Sequence, residues 1–351
     1  MEYSVPVYWN GDYIRSLLAV DRQHRIKEAY GIPAGREGCL SILPLSRQGI
    51  RFNCLLDALC MDNLEFASRG QRKITALLDS FVEAGAGAVT VANPYLAMLI
   101  KKRYPGLSIV VSAAANINTP ARANFWESLG VDAITLPGPV WNHDLAALNT
   151  VRKSVKCGIR LAANNGCIRN CPMFLGHRVF DSHAQESARP AKAFDYYRVI
   201  CLTRRLERPE LYIRSDWIRP EDTRVYEDYG INCLQLTGDG LPERMLKIIA
   251  AYLAGSYNGN LMDLLQNCPQ NAAPGCLSAP AQVYIENNKL NSFLRDMPGD
   301  CEARSCESCS YCKKAAEQSV TIPGRYRDET LRIAGRSSMS CLLKEYPDQC
   351  A

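Results

Sequence analysis

From Ile50 onward, short runs of aliphatic and β-branched residues alternate with stretches whose apolar positions recur every three or four residues. Strands want alternate-face or continuous apolar runs and helices want a period near 3.6, so this alternation predicts successive βα units feeding a parallel sheet. The expected strands are Ser4 to Trp9, Arg51 to Leu56, Ala88 to Ala92, Leu107 to Ser112, Ala133 to Leu136, Gly158 to Ala163, Leu211 to Arg214 and Cys233 to Leu236. Helical patterns follow most of them: Arg69 to Ala84, Pro94 to Arg103, Pro120 to Leu129, Asn142 to Val155, Phe194 to Arg205, Pro220 to Tyr229 and Pro242 to Leu253. Eight such repeats predict an α/β fold, a closed TIM-like βα barrel; a doubly wound sheet would show the same alternation.

Two intervals break the rhythm, Asp21 to Gly49 and Asn164 to Ser187, and long irregular segments at such places tend to carry function. After about Leu265 the chain turns to Pro, Asn, Gly and Cys. The expected division is therefore a barrel over residues 1–265 and an irregular cysteine-rich extension over 266–351, with the boundary near Gln266.

Composition narrows the setting. The 351 residues are 47% hydrophobic and 22% charged, enough apolar content for a large core. The opening Met1-Glu2-Tyr3-Ser4 lacks the basic start and apolar stretch of a secretory signal, and no run of about 18 charge-free apolar residues occurs. The expectation is a cytoplasmic protein with no membrane span. In a reducing compartment the sixteen cysteines point to metal or catalysis more than to disulfides. A net charge of +5, spread along the chain, does not announce nucleic-acid binding.

Cys301-x4-Cys306-x2-Cys309-x2-Cys312 is the most specific motif. Two-residue gaps let successive sulfurs face one centre, as iron-sulfur clusters and structural zinc both require. The expectation is a second 4Fe-4S cluster or zinc; the plainer alternative is an unmetallated thiol group open to oxidation.

Asn165-Gly166-Cys167-x3-Cys171-Pro172 follows the sixth expected strand, where barrels build their sites. The CxxxC spacing invites comparison with radical S-adenosylmethionine enzymes, but Phe174 stands where their third cysteine falls, so further sulfurs must come from elsewhere. Cys201 and Cys60 are the best-placed recruits and Cys39 a third; a buried small hydrophobe is the plainer role for each. Cys54, Cys157, Cys233, Cys268 and Cys276 read as packing or incidental. His177 and His183, two of only four histidines, flank this loop and suit substrate contact or loop anchoring equally. Pro220 with acidic residues in the first turn it opens reads as ordinary capping chemistry, and Asp216 and Arg219 are candidates to face the pocket. No phosphate-cradling glycine loop, HExxH helix or GxSxG elbow is present.

Together, Phe52-Asn53-x-Leu55-Leu56 through Asn63-x-Glu65-Phe66, Val91-Ala92-Asn93-Pro94-Tyr95, the Cys167 and Cys171 loop with His177 and His183, Trp217-Ile218-Arg219-Pro220-Glu221-Asp222 and Asn258-Gly259-Asn260-Leu261 resemble the collagenase-like peptidase family U32 across roughly residues 50–315. The resemblance implies a βα barrel, a 4Fe-4S cluster near the substrate and, as in its ubiquinone-pathway and RNA-modifying members, oxygen-independent hydroxylation in place of proteolysis. It makes Cys167 and Cys171 two cluster ligands and Cys201 a third by rough placement. The chain departs from better-known members by lacking their longer cysteine motif after the sixth strand and by its extra C-terminal quartet. The expected function is an iron-sulfur oxidoreductase acting on a small-molecule or RNA substrate, fed by an electron-donor protein. The competing reading is a non-catalytic subunit working beside a paralogous partner.

Overall fold

A computed structural model describes residues 1–32, 43–138, 142–184, 195–238, 240–266, 268, 282–298, 301 and 308–343. In chain order its elements begin β1 (Glu2–Pro6), α1 (Gly11–Val20), β2 (Ile26–Gly31), α2 (Leu43–Arg47), β3 (Arg51–Leu56), α3 (Ser68–Glu83), β4 (Ala88–Val91) and α4 (Pro94–Arg103). They continue with β5 (Ser108–Val111), α5 (Pro120–Ser128), β6 (Ala133–Leu136), α6 (Leu145–Ser154) and β7 (Gly158–Ala162). After β7 come α7 (Phe174–Ala184), α8 (Tyr196–Glu207), α9 (Glu210–Ile213), α10 (Thr223–Glu227), β8 (Cys233–Gln235) and α11 (Pro242–Ala254). The chain ends with β9 (Tyr284–Ile285), α12 (Tyr311–Ser319), β10 (Val320–Thr321) and α13 (Gly324–Leu343). Strands β1 to β8 pair in parallel, in sequence order, and β8 closes on β1 through Tyr3↔Leu234 and Ser4↔Gln235. The expected TIM-like α/β barrel is the observed one.

Two strand assignments change. Ile26–Gly31 forms β2, although its Lys27 and Glu28 interrupt the apolar run that marks the other strands. Leu211–Arg214, expected as a strand, is instead the short helix α9 with Leu211, Tyr212 and Ile213 all buried; three consecutive buried apolar residues mimic a strand at this length. The cysteine loop therefore follows the seventh strand, β7, and the interval Asp21 to Gly49 contains a barrel strand.

The helix starts follow capping chemistry. Asn93 accepts from the Tyr95 amide at 2.9 Å with Pro94 opening α4, and Thr119 accepts from Arg122 with Pro120 opening α5. Each side chain satisfies an amide that the first turn leaves without a helical partner.

The barrel lumen is largely polar, where branched aliphatics are usual. Glu28 of β2 accepts from Ser4 of β1 at 2.9 Å and Asn53 of β3 at 2.8 Å, and Thr90 of β4 donates to Asn53 at 3.0 Å. Arg160 of β7 pairs with the same carboxylate, with Nη2 3.0 Å from Oε2. Because β1 and β8 separate β7 from β2 in the sheet, this pair must cross the lumen. Arg51 adds a third ionic contact at 2.8 Å from the rim. Ala88, Val110 and Ala133 supply an apolar patch. The opposite strand faces, including Val5, Phe52, Val89, Ile109, Ile134 and Leu161, are buried.

The chain divides into two compact units. The first, residues Met1–Asn165 and Trp217–Tyr257, contains the barrel. The second joins Gly166–Asp216, which in the chain separates β7 from β8, to Asn258–Ala351. This interleaved division differs from a single cut near Gln266. In the second unit, Val199, Leu202 and Leu206 of α8 pack with Ala334 of α13, and β9 pairs antiparallel with β10. Among the described residues no helix is long and apolar enough to cross a membrane.

Burial raises the pKa of Glu28, but Arg160, Asn53 and Arg51 outweigh it and bring it from 4.5 to about 2. A depressed carboxylate pKa gives stability that is complete above the unfolded value and lost as pH falls through the folded one. The window is therefore 4.5 down to about 2, and the shift corresponds to about 3 kcal/mol. Glu28→Gln should destabilise the barrel by roughly 3–5 kcal/mol at neutral pH, since it strands the buried Arg160 charge. In urea melts the gap from wild type should narrow across that acid window; a gap independent of pH would contradict the ionic role.

Candidate functional site

The second unit gathers four cysteines from separated parts of the chain. Two lie in the turn that opens it. Gly166 donates its amide to the Gln266 carbonyl at 2.6 Å. The following residues run antiparallel to 214–216, with a bridge between Ile168 and Ser215, Arg169 N to Arg214 O at 2.9 Å, and Asp216 N to Cys167 O at 3.0 Å. Asn170, at φ 52, turns the chain so that Cys171 N reaches Ile168 O at 3.2 Å. Asparagine tolerates this left-handed backbone better than most residues.

The third cysteine, Cys201, lies on α8, whose first turn is capped by Asp195 accepting from Arg198 N at 2.9 Å. One turn on, Arg205 is fully buried. Its Nε donates to Cys201 Sγ at 3.3 Å, its Nη1 to Ser215 Oγ at 2.8 Å and Leu211 O at 3.2 Å, and its Nη2 to the Gly166 carbonyl. Its guanidinium carbon lies 5.1 Å from the Tyr212 ring centre. One side chain thus ties the cysteine turn, α8 and the segment after α9 together.

The fourth is Cys268. A Cβ on Gly166 would lie 2.7 Å from Cys268 Cβ and 2.9 Å from Gln266 O, so only glycine allows the two segments to approach this closely. Sequence reading left Cys268 as incidental. A signal was present, because Asn-Cys-Pro occurs twice, at Asn170-Cys171-Pro172 and at Asn267-Cys268-Pro269.

The electrostatics of this cradle are unusual. Burial pushes the Cys167 thiol up to about 12, with Asp216 and Cys201 adding to the rise and Arg178 opposing it. Burial likewise raises Cys171, again with Cys201 adding. Burial should lower the pKa of Arg205, yet Cys268 and Cys201 drive it upward. The cation and the sulfurs are close enough for their charges to matter to one another.

The remaining expected site residues fall in three places. His177 of α7 stacks on Tyr197 at 5.4 Å, with Nε2 3.4 Å from Asp195 Oδ2 and 3.7 Å from Asp181 Oδ1, which fastens α7 to the start of α8. Burial acts to raise the Asp195 pKa, and His177 reverses this to a net lowering. His183 is half-buried in the last turn of α7, and Asp216 is buried beside Cys167. Arg219 and Cys60 belong to the barrel unit. Arg219 is fully buried and forms a two-pronged pair with Asp222 at 2.8 and 2.9 Å, and Cys60 follows β3.

Of the C-terminal quartet, Cys301, Cys309 and Cys312 are described and Cys306 lies outside the described residues, as do Cys39 and Cys276. Arg169 Nη1 donates to Cys301 Sγ at 3.2 Å, so the residue between Cys167 and Cys171 also touches the first thiol of the quartet. Cys312 is in the first turn of α12, beside Tyr311, which stacks on Phe293 at 5.4 Å. No disulfide joins the cysteines whose side chains are described.

A family model described as peptidase family U32 matches residues 58–161, from the end of β3 into β7. "Uncharacterized protease MJ1657" of Methanocaldococcus jannaschii is 30% identical over 277 residues, covering 79% of each chain. The structure of the U32 peptidase Mk0906 aligns with a TM-score of 0.51 at 19% identity, over 69% of this chain and 94% of that one, a likeness of fold.

Gly166→Ala tests the close approach of the two segments. The added methyl should push residues 266–268 away, costing roughly 1–3 kcal/mol as overpacking does, and should speed alkylation of Cys268 in peptide-mapped labelling. Unchanged melting and labelling would show that the approach is not tight.

Proposed function

This chain belongs to peptidase family U32, and from that membership and its thiol cradle we propose that it is an iron-sulfur oxidoreductase of the oxygen-independent hydroxylase type. The observation that carries the reading is Arg205, a fully buried cation whose Nε donates to the Cys201 sulfur and whose other nitrogens donate to neutral oxygens. A buried charge is costly unless an opposite charge accompanies it. Neutral thiols do not supply that charge, whereas metal-bound thiolates do, and metal binding displaces their protons.

The donor set fits the group. Cys167, Cys171, Cys201 and Cys268 offer sulfur alone, the ligand of iron-sulfur centres and of structural zinc. When bound, a 4Fe-4S cluster supplies one-electron transfer or Lewis acidity at an exchangeable iron. The chain's own residues do the rest. Arg205 holds the Cys201 sulfur and fixes the Gly166 turn, and His177 fastens α7 to α8 through Asp195. Asp216, beside Cys167, and His183 are the groups proposed to hold or move protons. Arg219 is proposed to keep the segment after residue 216 in place through Asp222. Cys301, Cys306, Cys309 and Cys312 form the proposed second centre, a cluster or zinc. As a cluster it would pass electrons from a donor protein, and the Arg169 contact to Cys301 supports its closeness to the first. The proposed substrate is a small molecule or an RNA.

The names of its relatives, a protease and a U32 peptidase, favour proteolysis as a second reading. A cysteine nucleophile is activated by a lowered thiol pKa. Burial moves Cys167 the opposite way, to about 12, so the thiol geometry favours metal ligation.

Anaerobic iron and sulfide quantitation of the full chain tests the proposal. Cys167→Ala and Cys268→Ala should each remove the same cluster, while Cys309→Ala should remove a separate complement of metal. Wild-type protein that holds no iron after anaerobic reconstitution would defeat the reading, and peptide cleavage that survives Cys167→Ala and iron chelation would replace it with the peptidase one.

A further inference from the structure

We infer that Arg205 is the positioning residue that sets the reduction potential of the four-thiol centre, an inference that rests on the iron-sulfur reading. Three observations lead to it. First, Arg205 is fully buried and lies one helical turn after Cys201, so α8 fixes the guanidinium and the thiol on one face, with Nε 3.3 Å from Sγ. Second, its other nitrogens donate to neutral groups, the Gly166 and Leu211 carbonyls and the Ser215 hydroxyl. The fork is thereby held in place by neutral acceptors, and its positive charge is left to act on the sulfurs. Third, the carbonyl it grips belongs to Gly166, which precedes Cys167 and lies against Cys268. One cation is therefore tied directly to two of the three sulfur-bearing segments, and through Gly166 to the third.

The consequence has a definite sign. Adding one electron to a thiolate-ligated cluster makes the centre one unit more negative. A fixed cation and an N–H donor to a ligating sulfur both stabilise that reduced form and raise its potential. In a dry interior the effect is larger than at a surface, because little water screens it. Arginine suits the role better than lysine: it stays protonated when buried and its planar fork reaches the sulfur and three backbone or hydroxyl oxygens together.

The test is a reductive titration of the reconstituted full-length protein, comparing wild type with Arg205→Lys and Arg205→Gln, with the cluster absorbance as readout and dithionite as reductant. The midpoint should move to more negative potential in both variants, further in Arg205→Gln than in Arg205→Lys, which keeps the charge and loses the fork. Ser215→Ala, which leaves the cation in place and removes one of its anchors, should shift it least. A merely structural Arg205 would change melting and cluster retention and leave the potential of the loaded fraction where it was. If Arg205→Gln does not fold, Arg205→Lys and Ser215→Ala carry the comparison. Iron in the wild type with unchanged potential in the folded variants would overturn the role of Arg205 alone; no iron in the wild type would overturn the reading beneath it as well.

Discussion

A guanidinium buried in a protein interior has to be met by hydrogen-bond acceptors and by negative charge, and Arg205 meets the first need with three oxygens and the Cys201 sulfur, while the second is the need that thiolates of the proposed centre would meet. Because the acceptors come from the turn at Gly166, from Leu211 and from Ser215, the one side chain decides how those backbone segments converge. Cys167 follows the first of them directly, and Cys201 lies a turn before Arg205 on the same helix. The glycine at 166 then admits Cys268. The convergence of the cysteine-bearing segments thus follows from satisfying the hydrogen bonds of one buried cation.

The barrel solves a related problem differently. Glu28 is buried in the lumen, but Arg160, Arg51, Asn53 and Ser4 surround it so completely that its carboxylate is more acidic than in water. Charge there is balanced within the protein, and the result is structural. In the second unit buried Arg205 donates to three neutral oxygens and the Cys201 sulfur, and the proposed cluster is what would supply the balancing charge. That contrast, a closed ionic network in one unit and an open one in the other, separates scaffold from site on physical grounds. It also explains why the thiols resist ionising on their own, since burial penalises a lone thiolate as it penalises a lone carboxylate.

Most of the barrel was legible along the chain because parallel strands buried on both faces read as continuous apolar runs. Ala88-Val89-Thr90-Val91 and Ala133-Ile134-Thr135-Leu136 have that form, and Pro94 and Pro120 marked the helices that follow. Strand β2 escaped because the residue that completes the lumen network, Glu28, also breaks the apolar run. Leu211-Tyr212-Ile213 misled for the opposite reason: a single helical turn buried on every side has no periodicity to display. The paired cysteines at 167 and 171, and Cys201 on its helix, were visible as local spacing. Cys268 was marked only by its repeat of the Asn-Cys-Pro triplet of Cys171, which does not tell an isolated thiol whether it faces packing or partners.

What the sequence by itself determined is local: where apolar period and proline place most of the helices and strands, and that Cys167 and Cys171 share a turn. Those properties depend on residues a few positions apart, and short-range sterics and capping settle them. The tertiary structure alone decided that the eight strands close into a barrel, that Gly166 and Cys268, about a hundred residues distant in the chain, touch, and that buried Arg205 ties the Cys201 sulfur to the Gly166 turn. Such contacts depend on which distant segments a fold brings together once loop-closure entropy has been overcome, and no pattern of neighbours along the chain encodes that choice.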